Sequence, residues 1–306
     1  MEQLIGDWLN WLALCHAPET CVGYGFDVRA LVRWGAAQSP PVVGLGDWRT
    51  ADLTRYLAER RAAGVGASAT RRALAGMRSF FKWSLGDSSP ARGLPYPRVP
   101  RRVQRTLSAG EVLAVLAACD TSTVTGARDT AIFMLLYDSG LRASEVCRLR
   151  IGDVDLERRV FDVVVKGGQT KFGFFSAPTA AALAAWLGAR PQVAAAGAET
   201  LFVGLGFGAE RGQALTRGGL KCLCRRAAGR AGVKAFSPHA WRRAFSCGMT
   251  LANCPTRMLQ FFGRWDDFQH VEEYTRWLMA QMASADATLF DRYSPVLHLL
   301  GGAHAP

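Results

Sequence analysis

Between Ser237 and Tyr274 the sequence sets out groups whose types and spacing suit chemistry better than packing. His239 and Arg242 are three residues apart, so on a helix they share one face. Ser237 suits an N-cap and Pro238 a first helical turn, which predicts that both side chains stand at a helix start. Helix N-termini attract anions, and an imidazole and a guanidinium added there point to a phosphate oxygen as partner. Trp265 closes the string Phe261-Phe262-Gly263-Arg264-Trp265, and Tyr274 follows it. Further back, Gly140-Leu141-Arg142-Ala143-Ser144-Glu145 brings a second arginine with a carboxylate one helical turn later. Lys166 comes next, in Val165-Lys166-Gly167-Gly168.

Arg142 in GLRASE, Lys166 in VKGG, His239-x-x-Arg242, Trp265 and Tyr274 together resemble the tyrosine site-specific recombinases, also called the phage-integrase family. Order, residue types and spacings all fit, from about Leu107 to Trp277 and, less closely, over residues 1–100. The resemblance implies a two-domain DNA enzyme of the compact Xer-like type. It would act through a 3′-phosphotyrosyl intermediate and a Holliday junction. Two departures stand out. Arg243 occupies a position that is often His in the family, and Gln169 to Phe175 lack the common basic pattern after the lysine.

The chemistry follows from the group. A tyrosyl oxygen, here that of Tyr274, can attack a DNA phosphodiester and hold it as a phosphotyrosine. The bond energy is kept, so no cofactor, nucleotide or metal is expected. The pentacoordinate phosphate gains negative charge, and two arginine forks, Arg142 and Arg242, suit its stabilisation. By the resemblance Lys166 gives the leaving 5′-hydroxyl its proton, with Lys171 as rival acid. His239 would stabilise the phosphoryl oxygens or take the tyrosine proton. Trp265 stands where the family has His or Trp, and its indole N–H can donate to phosphate but cannot shuttle protons. Glu145, three residues after Arg142 and on the same helix face, would help orient the site. His270 reads as structural or interfacial, and Tyr293 as tail packing.

The elements that must carry these groups are legible from periodicity. The expected fold is mainly α with a small β-sheet or hairpin: an N-terminal helical domain and an α+β catalytic domain. Residues 1–87 read as four helices, the core-binding domain by the resemblance. The last of them sets Arg71, Arg78 and Lys82 on one side as candidate DNA contacts. Residues 88–106 read as a proline-stiffened linker. Its Arg92, Arg98, Arg101, Arg102 and Arg105, with no acid among them, would lie along a phosphate track. Residues 107–306 form the catalytic domain. It opens on a Ser108/Glu111 capping box, and Gly140 is expected to end the helix before Arg142. Strand signals run from Val154 to Phe175. Arg217 to Arg230 reads as a further helix. An apolar tail, 283–306, would pack on its own domain or on a neighbouring subunit.

A net charge of +12 and a pI near 9.8 favour a polyanionic partner. The scattered cysteines show no zinc-ligand spacing. The acidic start MEQLIGDWLNWLALC does not read as a signal peptide, and no apolar run is long enough to span a membrane. The expectation is therefore a cytoplasmic protein with reduced thiols. Its expected partner is double-stranded DNA, bound as a monomer or dimer on one site and as a homo-tetramer on two paired sites. Two other classes remain open at this stage: a type IB topoisomerase-like relaxing enzyme, and a non-enzymatic DNA-binding protein that kept the fold.

Overall fold

The computed structural model describes residues 1–99, 105–165, 168–206, 211–267, 269 and 271–272. The chain divides into two compact units, residues 1–103 and 104–306.

The first unit is helical: α1 (Glu2–Ala13), α2 (Pro18–Ala36), α3 (Thr50–Ala62) and α4 (Ala67–Leu85). The helical spacing of its apolar residues delivers Ile5, Trp8, Val28, Leu31, Leu74 and Met77 to one core. Trp8 meets Phe80 edge-on, with ring centroids 5.4 Å apart. A carboxylate also lies inside this core. Asp27 of α2 is fully buried and accepts from Arg72 Nε of α4 at 2.8 Å and from Arg60 Nη1 of α3 at 3.2 Å. Nothing in the apolar periodicity marks Asp27. The three helices are thus tied through one charge.

That tie sets a stability prediction. Asp27→Ala leaves two guanidinium groups facing an apolar gap, and breaking a buried pair costs about 3–5 kcal/mol. Because Arg72 is half exposed, the lower end is expected. Arg60→Met, which leaves the Arg72 bond in place, should cost clearly less. Urea unfolding of the full chain, followed through the tryptophans, checks the order of the two variants.

The expected linker, 88–106, behaves differently near its start. Ala91 and Leu94 are buried in the first unit's core. Arg78 donates to the carbonyls of Ala91, at 3.2 Å, and Leu94, and Thr50 Oγ1 donates to that of Pro90 at 2.9 Å. The segment is therefore folded onto α4 as far as Tyr96, whose ring lies under Arg71 and Arg78. Proline removes backbone donors but leaves carbonyls, and Arg78 takes up those carbonyls.

The second unit is built on α6 (Val124–Ser139). Before it stands α5 (Ala109–Ala117), which begins on the expected capping box: Ser108 Oγ accepts from Glu111 N, and Glu111 Oε2 accepts from Ser108 N. After α6 comes α7 (Ala143–Arg148). A three-stranded antiparallel sheet follows, ordered β1 (Val154–Asp155), β2 (Val160–Val164), β3 (Thr170–Phe174), with Phe161 opposite Gly173 and Val163 opposite Lys171. Gly173 is required there, because a Cβ would fall 2.0 Å from the Phe161 ring. Next are α8 (Ala177–Ala189), α9 (Arg217–Arg230), α10 (Pro238–Leu251) and α11 (Thr256–Gly263). The helix-like run after Ser237 is thus two helices, parted by Asn253 at φ 56° and by Pro255.

α6 is buried nearly all round, as a central helix must be. Phe133 stacks on Trp241 of α10 at 5.0 Å. The charged pair Arg128–Asp129, also buried, is completed by Arg230 of α9 at 3.1 Å. No helix among the described residues is long and apolar enough to cross a membrane.

Candidate active site

The site forms where the ends of α6 and α11 meet the starts of α7 and α10. α6 ends at Gly140, in the left-handed conformation with φ 61°. A side chain there would be strained, and its Cβ would lie 2.4 Å from the Phe245 ring. This tight turn aims the chain so that Arg142 becomes the N-cap of α7. Glu145 then binds Arg142 twice: its carboxylate accepts from the Arg142 backbone N–H and from Nη1, each at 2.8 Å. Glu145 is buried, whereas the Arg142 side chain remains 37 % exposed. A held guanidinium that still faces outward is ready to meet an anion.

α10 supplies His239 and Arg242 on one face. Ser237 is its N-cap residue, although its side chain makes no capping bond, and Pro238 fills the first turn. Arg242 is buried, with 1 % of its surface exposed. It donates through Nη1 to the Gly140 carbonyl and through Nη2 to the Gly263 carbonyl at 2.8 Å. Its guanidinium carbon lies 4.5 Å from the Trp265 ring centroid, a cation–π contact in a largely dry setting. Trp265 is itself buried, and Gly263 must be glycine to admit it, since a Cβ would fall 1.8 Å from the indole. The structure therefore places the Trp265 ring as a floor beneath Arg242.

His239 stands open to solvent on one side, among three cations. The protein packed around the rest of its ring, then the charges of Arg243, Arg242 and Arg142, push its pKa down to about 4. At neutral pH the imidazole is uncharged. A phosphate seated between these arginines would cancel their repulsion and favour imidazolium. The folding linkage runs the same way: with the pKa depressed below 6.5, His239 contributes stability above that pH and loses it as pH falls toward 4. We expect nuclear magnetic resonance titration to place His239 near 4 in the free protein and distinctly higher with DNA bound. DNA affinity would accordingly rise on acidification through that window.

Arg243 donates from Nε to the Arg105 carbonyl at 2.8 Å. Arg105 in turn donates to Glu111 and to the Lys234 carbonyl, each at 2.7 Å. Arg105, expected on a phosphate track, has a carboxylate and a carbonyl in reach and folds back to anchor the chain at the start of the second unit. Arg78 is committed likewise in the first unit. Arg71, Lys82, Arg92 and Arg98 are exposed, with Arg92 paired to Asp87 at 3.1 Å. Lys171, the rival acid, pairs with Asp266, one residue beyond Trp265. Lys166, Tyr274, His270, Arg101, Arg102, Tyr293 and the tail 283–306 lie outside the described residues.

One group at the site carried no sequence expectation. Arg264, between Gly263 and Trp265, is buried and interacts electrostatically with Glu145 and Arg142. Its only sequence signal is position within the Phe261–Trp265 string.

Comparisons with known proteins agree with this geometry. The model described as the phage integrase family matches residues 105–281, and that described as the phage integrase N-terminal SAM-like domain matches residues 5–86. Tyrosine recombinase XerD of Ralstonia nicotianae is 32% identical over 273 residues, covering 87% of this chain and 86% of that protein. Tyrosine recombinase XerC of Xanthomonas campestris pv. campestris is 30% identical over 264 residues, covering 85% and 79%. Among solved structures, XerH site-specific recombinase bound to palindromic difH substrate, a post-cleavage complex, aligns with a TM-score of 0.69 at 16% identity, over 89% of this chain and 80% of that one. The Tn1549 transposon integrase in complex with transposon right end DNA aligns with a TM-score of 0.68 at 15% identity, over 92% and 98%. At such identities these structures establish the fold.

Proposed function

Because the chain belongs to the phage integrase family, as a tyrosine recombinase of the Xer-like type, we propose that it cuts and rejoins double-stranded DNA at specific sites through Tyr274. The observation that carries this reading is the convergence of Arg142, His239 and Arg242 above the Trp265 floor. Three cationic or protonatable groups on two helix starts suit a phosphodiester whose charge grows during in-line attack. Arg142, partly exposed and oriented by Glu145, would meet the phosphate first. Arg242 would stabilise the same group from below. His239, neutral in the free site, can accept the Tyr274 proton and then stabilise the bound oxygens as imidazolium. Lys166 would protonate the 5′-oxygen as it leaves, so that the phosphoryl group stays on Tyr274 as a 3′-phosphotyrosine. Attack by a 5′-hydroxyl of a partner strand reverses the step, and two rounds pass through a Holliday junction.

Strand exchange between two paired sites needs four such centres, so the working assembly on DNA would be a homo-tetramer, with the tail 283–306 as a candidate link between subunits. Its place of action would be the cytoplasm. The basic charge of the chain and the exposed Arg71, Lys82 and Arg98 support a DNA track.

The reading is tested by selecting a duplex from a randomised library with the protein, nicking it near the cleavage point, and trapping the covalent adduct in EDTA without nucleotide. A phosphotyrosine mapped to Tyr274 is the expected result. No adduct, or a strict need for a divalent ion, would count against it. Lys166→Ala should slow cleavage of this duplex and regain speed on a 5′-bridging phosphorothiolate, whose leaving thiolate needs no proton. Lys171, held by Asp266, should show no such recovery when changed to alanine; recovery there would exchange the two roles.

A further inference from the structure

Arg264 holds a conformation that most residues avoid and a burial that most guanidinium groups avoid. It closes α11 in the left-handed region, with φ 54° and ψ 42°, where glycine would sit without strain. Only 4 % of it is exposed. Nη2 donates to the Ser139 carbonyl at 3.0 Å, and Nη1 to the Phe262 carbonyl at 2.9 Å. The guanidinium carbon stands 5.4 Å from the Phe161 ring centroid. Nε is buried with no hydrogen-bond partner. A buried arginine kept at a strained position, and not fully satisfied, points to a purpose other than stability.

Its contacts indicate that purpose. Ser139 ends α6 just before the turn that aims Arg142. Phe262 lies in the last turn of α11, three residues before Trp265. Phe161 lies on β2, the strand that Lys166 follows in the sequence. Arg242 makes a parallel set of bonds one residue further along, to Gly140 and Gly263. Two guanidinium groups therefore clasp the same two chain ends side by side.

We propose that Arg264 is a positioning residue for strand cleavage, which fixes the Arg142 turn against the Trp265 segment and balances the buried charge of Glu145. Desolvation lowers its pKa to about 10, with Glu145 favouring and Arg142 opposing the charge, so it remains cationic at neutral pH. Without it, Glu145 would face Arg142 alone, and the α6–α7 turn would lose one of its two ties to α11. The proposal rests on the phosphotyrosyl reading given above and deepens it.

The test uses the full chain and the selected nicked duplex. Wild type, Arg264→Gly and Arg264→Lys are compared for thermal unfolding, duplex binding and single-turnover adduct formation. Each is run with and without millimolar methylguanidinium. Arg264→Gly relieves the backbone strain and empties the guanidinium site, so a loss must come from the missing group. Expected are near-normal binding and a cleavage rate lower by at least about a hundredfold, the scale of a misplaced reacting group. Methylguanidinium should restore a substantial part of the rate in Arg264→Gly alone. Arg264→Lys keeps the charge but reaches one carbonyl only, and should recover little. Cleavage within about threefold of wild type in either folded variant, or parallel losses of binding and cleavage without chemical recovery, overturns the proposal. Unfolding of both variants would assign Arg264 to the scaffold and overturn it equally. If the wild type forms no adduct, the phosphotyrosyl reading itself has failed, which the same gel shows separately.

Discussion

Tyr274→Phe is expected to leave no detectable protein–DNA adduct on a nicked suicide duplex while binding that duplex within a few-fold of wild type. The substitution keeps the aromatic ring and removes only the oxygen proposed to bond to phosphorus. Positioning and electrostatic stabilisation by Arg142, Arg242 and His239 would persist. They would act on a phosphate with no neighbouring nucleophile, apart from slow attack by water. The effect is therefore close to complete in chemistry and small in recognition. An adduct formed by this variant would move the nucleophile elsewhere, with Tyr293 the first residue to examine.

How much of this was readable from the chain alone differs with the range of the interaction. α9 starts and stops where the sequence places it, between Thr216 and Ala231, because its cap and periodicity are local. Gly140 is the left-handed helix end expected of a glycine before a new helix start. His239 and Arg242 share a face because three residues on a helix require it. Contacts between distant segments left no such trace. Asp27 meets Arg72 across 45 residues, and Arg264 meets Ser139 across 125. Neither spacing has a period to detect. Arg105 and Arg78 show the complementary limit. Arg105 in the basic, proline-rich linker and Arg78 on the basic stripe of α4 read as candidate phosphate contacts, and carbonyls nearby also give each a partner within the protein itself. Composition reports the number of cations but not which of them the fold has already taken up.

The clasp at the end of α6 also gives the largest effect expected from a change that keeps charge. Arg242→Lys should lower the single-turnover cleavage rate on the order of a thousandfold, the upper range for removing one preorganised donor from a developing oxyanion. Arg242 now donates in two directions at once, to Gly140 and Gly263, while its flat face rests on Trp265. An ammonium can satisfy one carbonyl, cannot stack in the same way, and leaves the other carbonyl buried without a donor. That last term should also lower stability, by about 1–3 kcal/mol, visible as an earlier thermal transition. The loss of rate should exceed what this destabilisation explains, because the folded fraction at assay temperature changes little. Arg142→Lys should cost a similar factor through a different route, since its own guanidinium is oriented by Glu145. The two are joined through the turn at Gly140, so their effects should not multiply. In the double variant the second substitution should cost distinctly less than it does alone, as expected for groups acting as one unit. Strictly multiplicative losses would show that Arg242 acts on the phosphate alone, and that its bond to Gly140 contributes nothing to how Arg142 is aimed.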